Sequence, residues 1–201
     1  MAKLFFRYGA MGASKTANAL MVKHNYTERG LNAILLKPEI DTRSGRTSVS
    51  SRIGISSEAT IITKDTDILL LVDNIKNEMD LHCVIVDEAQ FLSKIHISSL
   101  CTVVDTLDIP VICYGLRTDF QGELFEGSQW LLAWSDSIEE IKTICWCESK
   151  AIMNMRKIND VPTFSGDKIL IGGNDSYEAV CRKHFIEEGY KYEKLREEKS
   201  F

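Results

Sequence analysis

Leu4-Phe5-Phe6-Arg7-Tyr8 runs directly into Gly9-Ala10-Met11-Gly12-Ala13-Ser14-Lys15-Thr16, after which Leu20, Met21 and His24 recur at helical spacing up to a stop at Gly30. A short apolar run, a glycine-bearing turn and an amphipathic stretch in that order predict strand, tight turn and helix. Few folds begin this way, and the rest of the chain narrows them further. Ala33 to Leu36 is a second buried strand, closed by Pro38. Ile68, Leu69, Leu71, Val72, Ile75 and Met79 form one helical stripe, Cys83-Val84-Ile85-Val86 is a continuous apolar strand, Phe91 to Leu107 returns to helix, and Val111 to Tyr114 is the next strand. Strands that are apolar on both faces and alternate with helices require a parallel sheet covered on both sides. The fold class is therefore α/β, a parallel sheet with helices on both faces, extending to about Lys142. Asp41 to Ser57, rich in Ser, Thr, Arg and Gly, reads as a long polar loop.

From Thr143 the composition changes to cysteines and turn residues, with Asn159-Asp160, Pro162 and Ser165-Gly166 ahead of Ile169-Leu170-Ile171 and Gly172-Gly173. That predicts a small ligand-tied unit, so the expected division is 1–142, a nucleotide-binding domain; 143–190, a metal-binding unit; and 191–201, a charged tail.

Composition limits what such a chain binds. At 201 residues and 44% hydrophobic it can bury a core. Its 24 basic against 29 acidic residues give a net charge of −5, which argues against a general nucleic-acid or anionic-membrane surface. No apolar run reaches the roughly 18 residues of a membrane helix, and Arg7 interrupts any signal-peptide layout, so a cytoplasmic protein is expected. In that compartment its six cysteines are thiols or metal ligands. Cys83, Cys101 and Cys113, set among Val, Ile and Leu, read as core residues.

The turn at Gly9 to Thr16 carries phosphate chemistry. Backbone N–H groups at a helix N-terminus hold phosphate oxygens, Lys15 reaches the terminal phosphates, and the Thr16 hydroxyl suits Mg²⁺. Ser14 stands where the phosphate-loop pattern asks for glycine. Asp87, at the carboxyl end of a buried strand, is the second Mg²⁺ ligand, and Glu88 beside it is placed to act as a base. Cys145, Cys147, Cys181 and His184 supply three thiolates and an imidazole, a closed tetrahedral set for structural zinc.

These residues, with Asp41-Thr42-Arg43, Val49 to Gly54, Asp87-Glu88-Ala89-Gln90-Phe91, Gly115 to Phe120, Ile171-Gly172-Gly173 and Cys181 to His184, resemble the zinc-containing cytosolic thymidine kinases, the enterobacterial branch above all. The resemblance implies a RecA-like P-loop fold and ATP-dependent phosphorylation of thymidine at its 5′-hydroxyl, with Glu88 as the base and Arg43 and Gln90 on the phosphate side; Ser14 departs from the family, and its added Cβ and hydroxyl are expected to weaken the activity. It implies a nucleoside pocket of Met11, Phe91, Leu116, Phe120, Leu170, Ile171, Gly172, Gly173 and Tyr177, with Lys150 to Gly173 as a lasso loop. Phe91 and Leu116 are equally readable as core packing; Phe120, between Asp119 and Gln121 after a strand end, is not. A homotetramer and feedback inhibition by dTTP are also implied. The alternatives are a catalytically silent P-loop and zinc-ribbon nucleotide-binding module, for which Ser14 argues, or an ATPase with water as acceptor.

Overall fold

The computed structural model describes residues 1–43, 45, 47–169 and 176–198. The chain opens with β1 (Leu4–Tyr8) and α1 (Lys15–Glu28), then β2 (Asn32–Pro38), β3 (Ser48–Ser50), β4 (Ser56–Glu58) and β5 (Thr60–Ile62). There follow α2 (Ile68–Glu78), β6 (Leu81–Val86), α3 (Lys94–Leu107), β7 (Val111–Gly115), α4 (Glu126–Trp134) and β8 (Ser137–Glu140). Six of these strands form one sheet in the order β5-β2-β6-β7-β1-β8, parallel throughout.

The period-2 alternation of a strand explains the two-sided core. From β6, Val84 and Val86 enter one cluster with Ile68 and Val72 of α2, Ile97 and Leu100 of α3, and Leu131 of α4. Cys83 and Ile85 face the other way, against Ala19 and Leu20 of α1 and Tyr114 of β7. Cys83 and Cys113 are fully buried and Cys101 partly so, as their apolar neighbours suggest.

Three local readings need correction. The stretch 41–57 is not all loop, because β3 and β4 pair as an antiparallel hairpin whose Val49 is buried against the sheet. The helix expected from Phe91 starts at Lys94, after a 3₁₀ turn at Ala89–Phe91, because Ser93 and His96 form a reciprocal cap at its N-terminus. The stretch from Lys150 expected to be a lasso loop is not all loop either, with strands at Lys150–Ala151, Met153–Ile158 and Val161–Thr163.

That last region comprises β9 (Thr143–Ile144), β10 (Lys150–Ala151), β11 (Met153–Ile158), β12 (Val161–Thr163), β13 (Tyr177–Val180) and α5 (Arg182–Glu198). β9 and β10 form a hairpin; β12, β11 and β13 form an antiparallel sheet. Cys145, Ala151, Met155, Val180, Cys181 and Phe185 make its own core. Among the described residues no helix is long and apolar enough to cross a membrane.

Candidate active site

The loop between β1 and α1 is shaped by close approach. A Cβ on Gly9 would lie 2.4 Å from the Ile141 carbonyl oxygen, so only glycine fits there. Its N–H bonds the Gly115 carbonyl at the end of β7, fixing the loop over the carboxyl edge of the sheet. Lys15 folds back into this loop, its Nζ donating to the Gly9 and Ala10 carbonyls at 3.0 and 2.8 Å. Burial lowers the Lys15 pKa to about 8, against the opposing pull of Glu88 and Asp87. A bound anion would raise it again.

At the end of β6, Asp87 is buried and its carboxyl is raised to about 7, first by burial and then by the Glu88 charge; a hydrogen bond with the Thr16 side chain opposes the rise. A buried carboxyl beside a second carboxylate and a hydroxyl has the donor set of a Mg²⁺ site. Glu88 sits at φ 52°, a left-handed conformation that a non-glycine residue adopts at a cost of about 1–3 kcal/mol. Two side chains hold it there. Arg43 forms a short ion pair with Oε1, Gln90 Nε2 donates to Oε2 at 2.5 Å, and the Gln90 Oε1 accepts from the Leu116 N–H. Arg43 is anchored in turn by Asp41 at 2.6 Å, and these two carboxylates outweigh its burial and keep the guanidinium firmly protonated.

Two cavities meet at this point. One is lined by Gly12 to Thr16, Asp41, Asp87, Ser50 to Ile53 of the hairpin region, and the other by Gln90, Phe91, Thr118, Asp119, Phe120, Phe125, Asn154, Lys168, Ile169 and Tyr177. Met11, Arg43, Glu88 and Leu116 belong to both. Glu88 therefore stands where a polar, phosphate-type cleft opens into an aromatic one.

Away from this junction, the Sγ and imidazole nitrogen atoms of Cys145, Cys147, Cys181 and His184 all lie within 4.8 Å of one another. Cys145 Sγ is 3.2 Å from His184 Nδ1 and Cys147 Sγ is 3.9 Å from Cys181 Sγ, spacings that could hold one metal ion. Trp146 stacks on the His184 ring at 4.6 Å. The β9–β10 turn and the start of α5 thus bring their ligands together.

A model of the thymidine kinase family matches residues 2–185. The chain belongs to the thymidine kinase family. It is 48% identical to the thymidine kinase of Photorhabdus laumondii, over 93% of this chain and 94% of that protein. It is 49% identical to the thymidine kinase of Shewanella oneidensis, over 93% and 98%, and 49% identical to that of Salmonella typhimurium, over 94% of each. Enterobacterial thymidine kinases are among these relatives.

Set beside the expected thymidine kinase residues, the structure brings Met11, Gly12, Ala13, Ser14, Lys15, Thr16, Arg43, Asp87 and Glu88 around one cleft, with Gly9 and Ala10 behind Lys15. Phe91, Leu116, Phe120 and Tyr177 line the other. Gln90, expected on the phosphate side, lines the aromatic cavity and steadies Glu88. Leu170, Ile171, Gly172 and Gly173 lie outside the described residues. Ser14 has φ 57° and an exposed side chain, so the burden of its missing glycine falls on the backbone conformation as well as on the phosphate side.

Sequence reasoning did not single out Thr118, Asn154 and Lys168, which line the aromatic cavity, or Arg156 behind it. Asn154 Oδ1 accepts from the Met11 N–H at 2.8 Å and its Nδ2 donates to the Thr118 carbonyl at 2.9 Å. Arg156 donates to the Tyr177 hydroxyl and the Asp167 carbonyl, and its guanidinium lies 3.6 Å from the centre of the Phe120 ring. That stacking explains a 1% exposed phenylalanine in a polar loop. Lys168 pairs with Asp119 at 3.2 Å. Asn154 and Arg156 alternate with methionines on β11, a pattern that reads as a solvated strand face, yet both are buried.

Proposed function

We propose that this protein transfers the γ-phosphoryl group of ATP to the 5′-hydroxyl of thymidine. The observation that carries the reading is the position of Glu88 at the meeting of the two cavities. A nucleoside in the aromatic cavity presents its 5′-hydroxyl to Glu88, which takes the proton as the oxygen attacks phosphorus and ADP leaves. Lys15 and Arg43 offset the charge gathering on the phosphoryl oxygens, and Phe91, Phe120 and Tyr177 enclose the ring. Thr16 and Asp87 would hold Mg²⁺, which would offset negative charge on the phosphates.

Zinc is the metal that the Cys145, Cys147, Cys181 and His184 donor set favours, and a closed set of four protein ligands gives it a structural role. The reading divides the chain into a nucleotide-binding unit at 1–142, a metal-tied unit at 143–190 and a tail at 191–201, in a cytoplasmic homotetramer. Because the cavities adjoin, dTTP, with the substrate's base and a triphosphate, can occupy both and inhibit.

ADP release measured with and without thymidine tests the reaction: turnover that requires the nucleoside supports a kinase, and equal turnover without it makes water the acceptor. Glu88→Gln keeps the shape and removes the base, so kcat is expected to fall about 10²- to 10⁴-fold with both substrates still bound. Near-normal kcat in this variant means that another group accepts the proton.

A further inference from the structure

Lys37, near the carboxyl end of β2, is the most deeply buried cationic side chain among the described residues, with 0% of its surface exposed. It lines neither cavity of the site. A lysine is seldom taken fully out of water, because its ammonium loses its hydration, and a methionine would fill the same space with a stem of similar length and no charge to bury. Packing alone therefore does not account for it. The Lys37 Nζ donates to the Gly45 carbonyl at 2.8 Å and the Ser48 carbonyl at 2.9 Å, and its charge faces Asp41 Oδ2 at 3.9 Å. All three partners belong to the stretch 41–48, which leaves the carboxyl edge of the sheet and leads into β3. That stretch carries Arg43.

Asp41 is buried and divides its carboxylate between two cations. Oδ1 accepts from Arg43 Nε at 2.6 Å, while Oδ2 faces Lys37. With Nε held in this way, Arg43 Nη2 is directed at Glu88 Oε1. A line of alternating charge thus runs from Lys37 in the interior through Asp41 and Arg43 to Glu88. Removing the ammonium leaves two backbone carbonyls without this donor and leaves the Asp41 carboxylate short of one of its two cations.

We infer that Lys37 is a positioning residue for the phosphoryl transfer, acting through Asp41 to hold Arg43 against Glu88. The inference rests on the kinase reading above, and it adds to that reading a residue that lines neither substrate cavity. Arg43 offsets charge that gathers as the phosphoryl group moves, so a loosened Arg43 costs rate more than it costs ground-state binding. The signature is a fall in kcat with thymidine KM nearly unchanged, because Phe91, Phe120 and Tyr177, which enclose the nucleoside, belong to other parts of the chain.

The test measures kcat, both KM values and thermal melting for Lys37→Met, Arg43→Gln, the double variant and Asp41→Asn, with kinetics taken below the melting range of each. Lys37→Met is expected to lower kcat about tenfold or more while thymidine KM stays within about threefold. In the Arg43→Gln background the same substitution should lower kcat by no more than about twofold, because the group that Lys37 positions is already gone. An equal loss in the two backgrounds makes the lysine's effect independent of Arg43 and overturns the inference, as does a wild-type kcat in Lys37→Met. Asp41→Asn leaves both carbonyl bonds of Lys37 in place and removes only the negative charge between the two cations. It should reproduce the kcat loss of Lys37→Met, and a wild-type kcat in Asp41→Asn overturns the inference whether or not the methionine variant folds. A wild-type protein whose ADP release does not respond to thymidine removes the kinase reading itself, an outcome visible before any variant is made.

Discussion

Ser14 shows how a one-residue departure from a motif becomes a physical quantity. Its φ of 57° is the left-handed conformation that the missing glycine would adopt freely, and no side-chain cap bond compensates. Relief of roughly 1–2 kcal/mol of backbone strain in Ser14→Gly is partly offset by the freer unfolded chain, so Tm is expected to rise by about 1–4 °C. The same change lets the loop close on phosphate without penalty, and kcat/KM for ATP should rise about tenfold, which is about 1.4 kcal/mol. Side-by-side kinetics decide the point: equal values would show that the loop tolerates serine. Lys15 and Asp87 make a second prediction at this scale. Asp87 must lose its proton to bind Mg²⁺ and Lys15 must keep its own to bind phosphate, so kcat/KM for MgATP should trace a narrow bell with limbs near 7 and 8. The stability signs follow. The raised Asp87 pKa contributes stability that is present at low pH and lost as pH rises through about 7, while the lowered Lys15 pKa costs stability until pH passes 8 toward 10.5. A flat kcat/KM profile from pH 6 to 9 would refute the bell.

Among the elements, what could be read in advance depended on burial. β6 and β7 are covered on both faces and appear as unbroken apolar runs, so their place in a parallel sheet was plain from residue type. β5 and β8 are the sheet's two edges, short and in β8 largely acidic, because an edge strand needs to bury little and is protected by charge. The hairpin of β3 and β4 was hidden for a similar reason: its single deeply buried side chain, Val49, leaves the surrounding serines to dominate the pattern. The four metal ligands were legible because their chemistry does not depend on burial. They join the β9–β10 turn to α5, and β11, which pairs with β13 immediately before Cys181, carries Asn154 and Arg156 to the aromatic cavity. Elemental analysis should find about one zinc per chain. Stripping the metal with a chelator, or Cys181→Ser, should lower Tm by several degrees and raise thymidine KM more than ATP KM. Metal-free protein with wild-type thymidine KM would separate the ligand cluster from the site.

At the scale of the whole molecule, the parallel sheet and the small antiparallel sheet have to hold a single reaction geometry between them. The phosphate loop belongs to the first and Asn154 to the second, and the Asn154 amide ties them together by bonding Met11 in the loop and Thr118 beyond β7. Since Met11 lines both cavities, this side chain would, in the proposed reaction, set the distance from nucleoside to phosphate without touching the reacting atoms. A displacement of about 1 Å between reacting groups can cost roughly a hundredfold in rate. Asn154→Ala leaves the Met11 N–H and the Thr118 carbonyl unpaired in buried surroundings, at a cost of about 1–3 kcal/mol each at most. The variant should therefore lose stability and show raised KM for thymidine and for ATP together, although Asn154 lines only the aromatic cavity. Asn154→Asp keeps the acceptor for Met11 and loses the donor to Thr118, so it should recover ATP KM more fully than thymidine KM. If Asn154→Ala raises thymidine KM alone, the phosphate loop is positioned by its own sheet and the small sheet serves only the nucleoside.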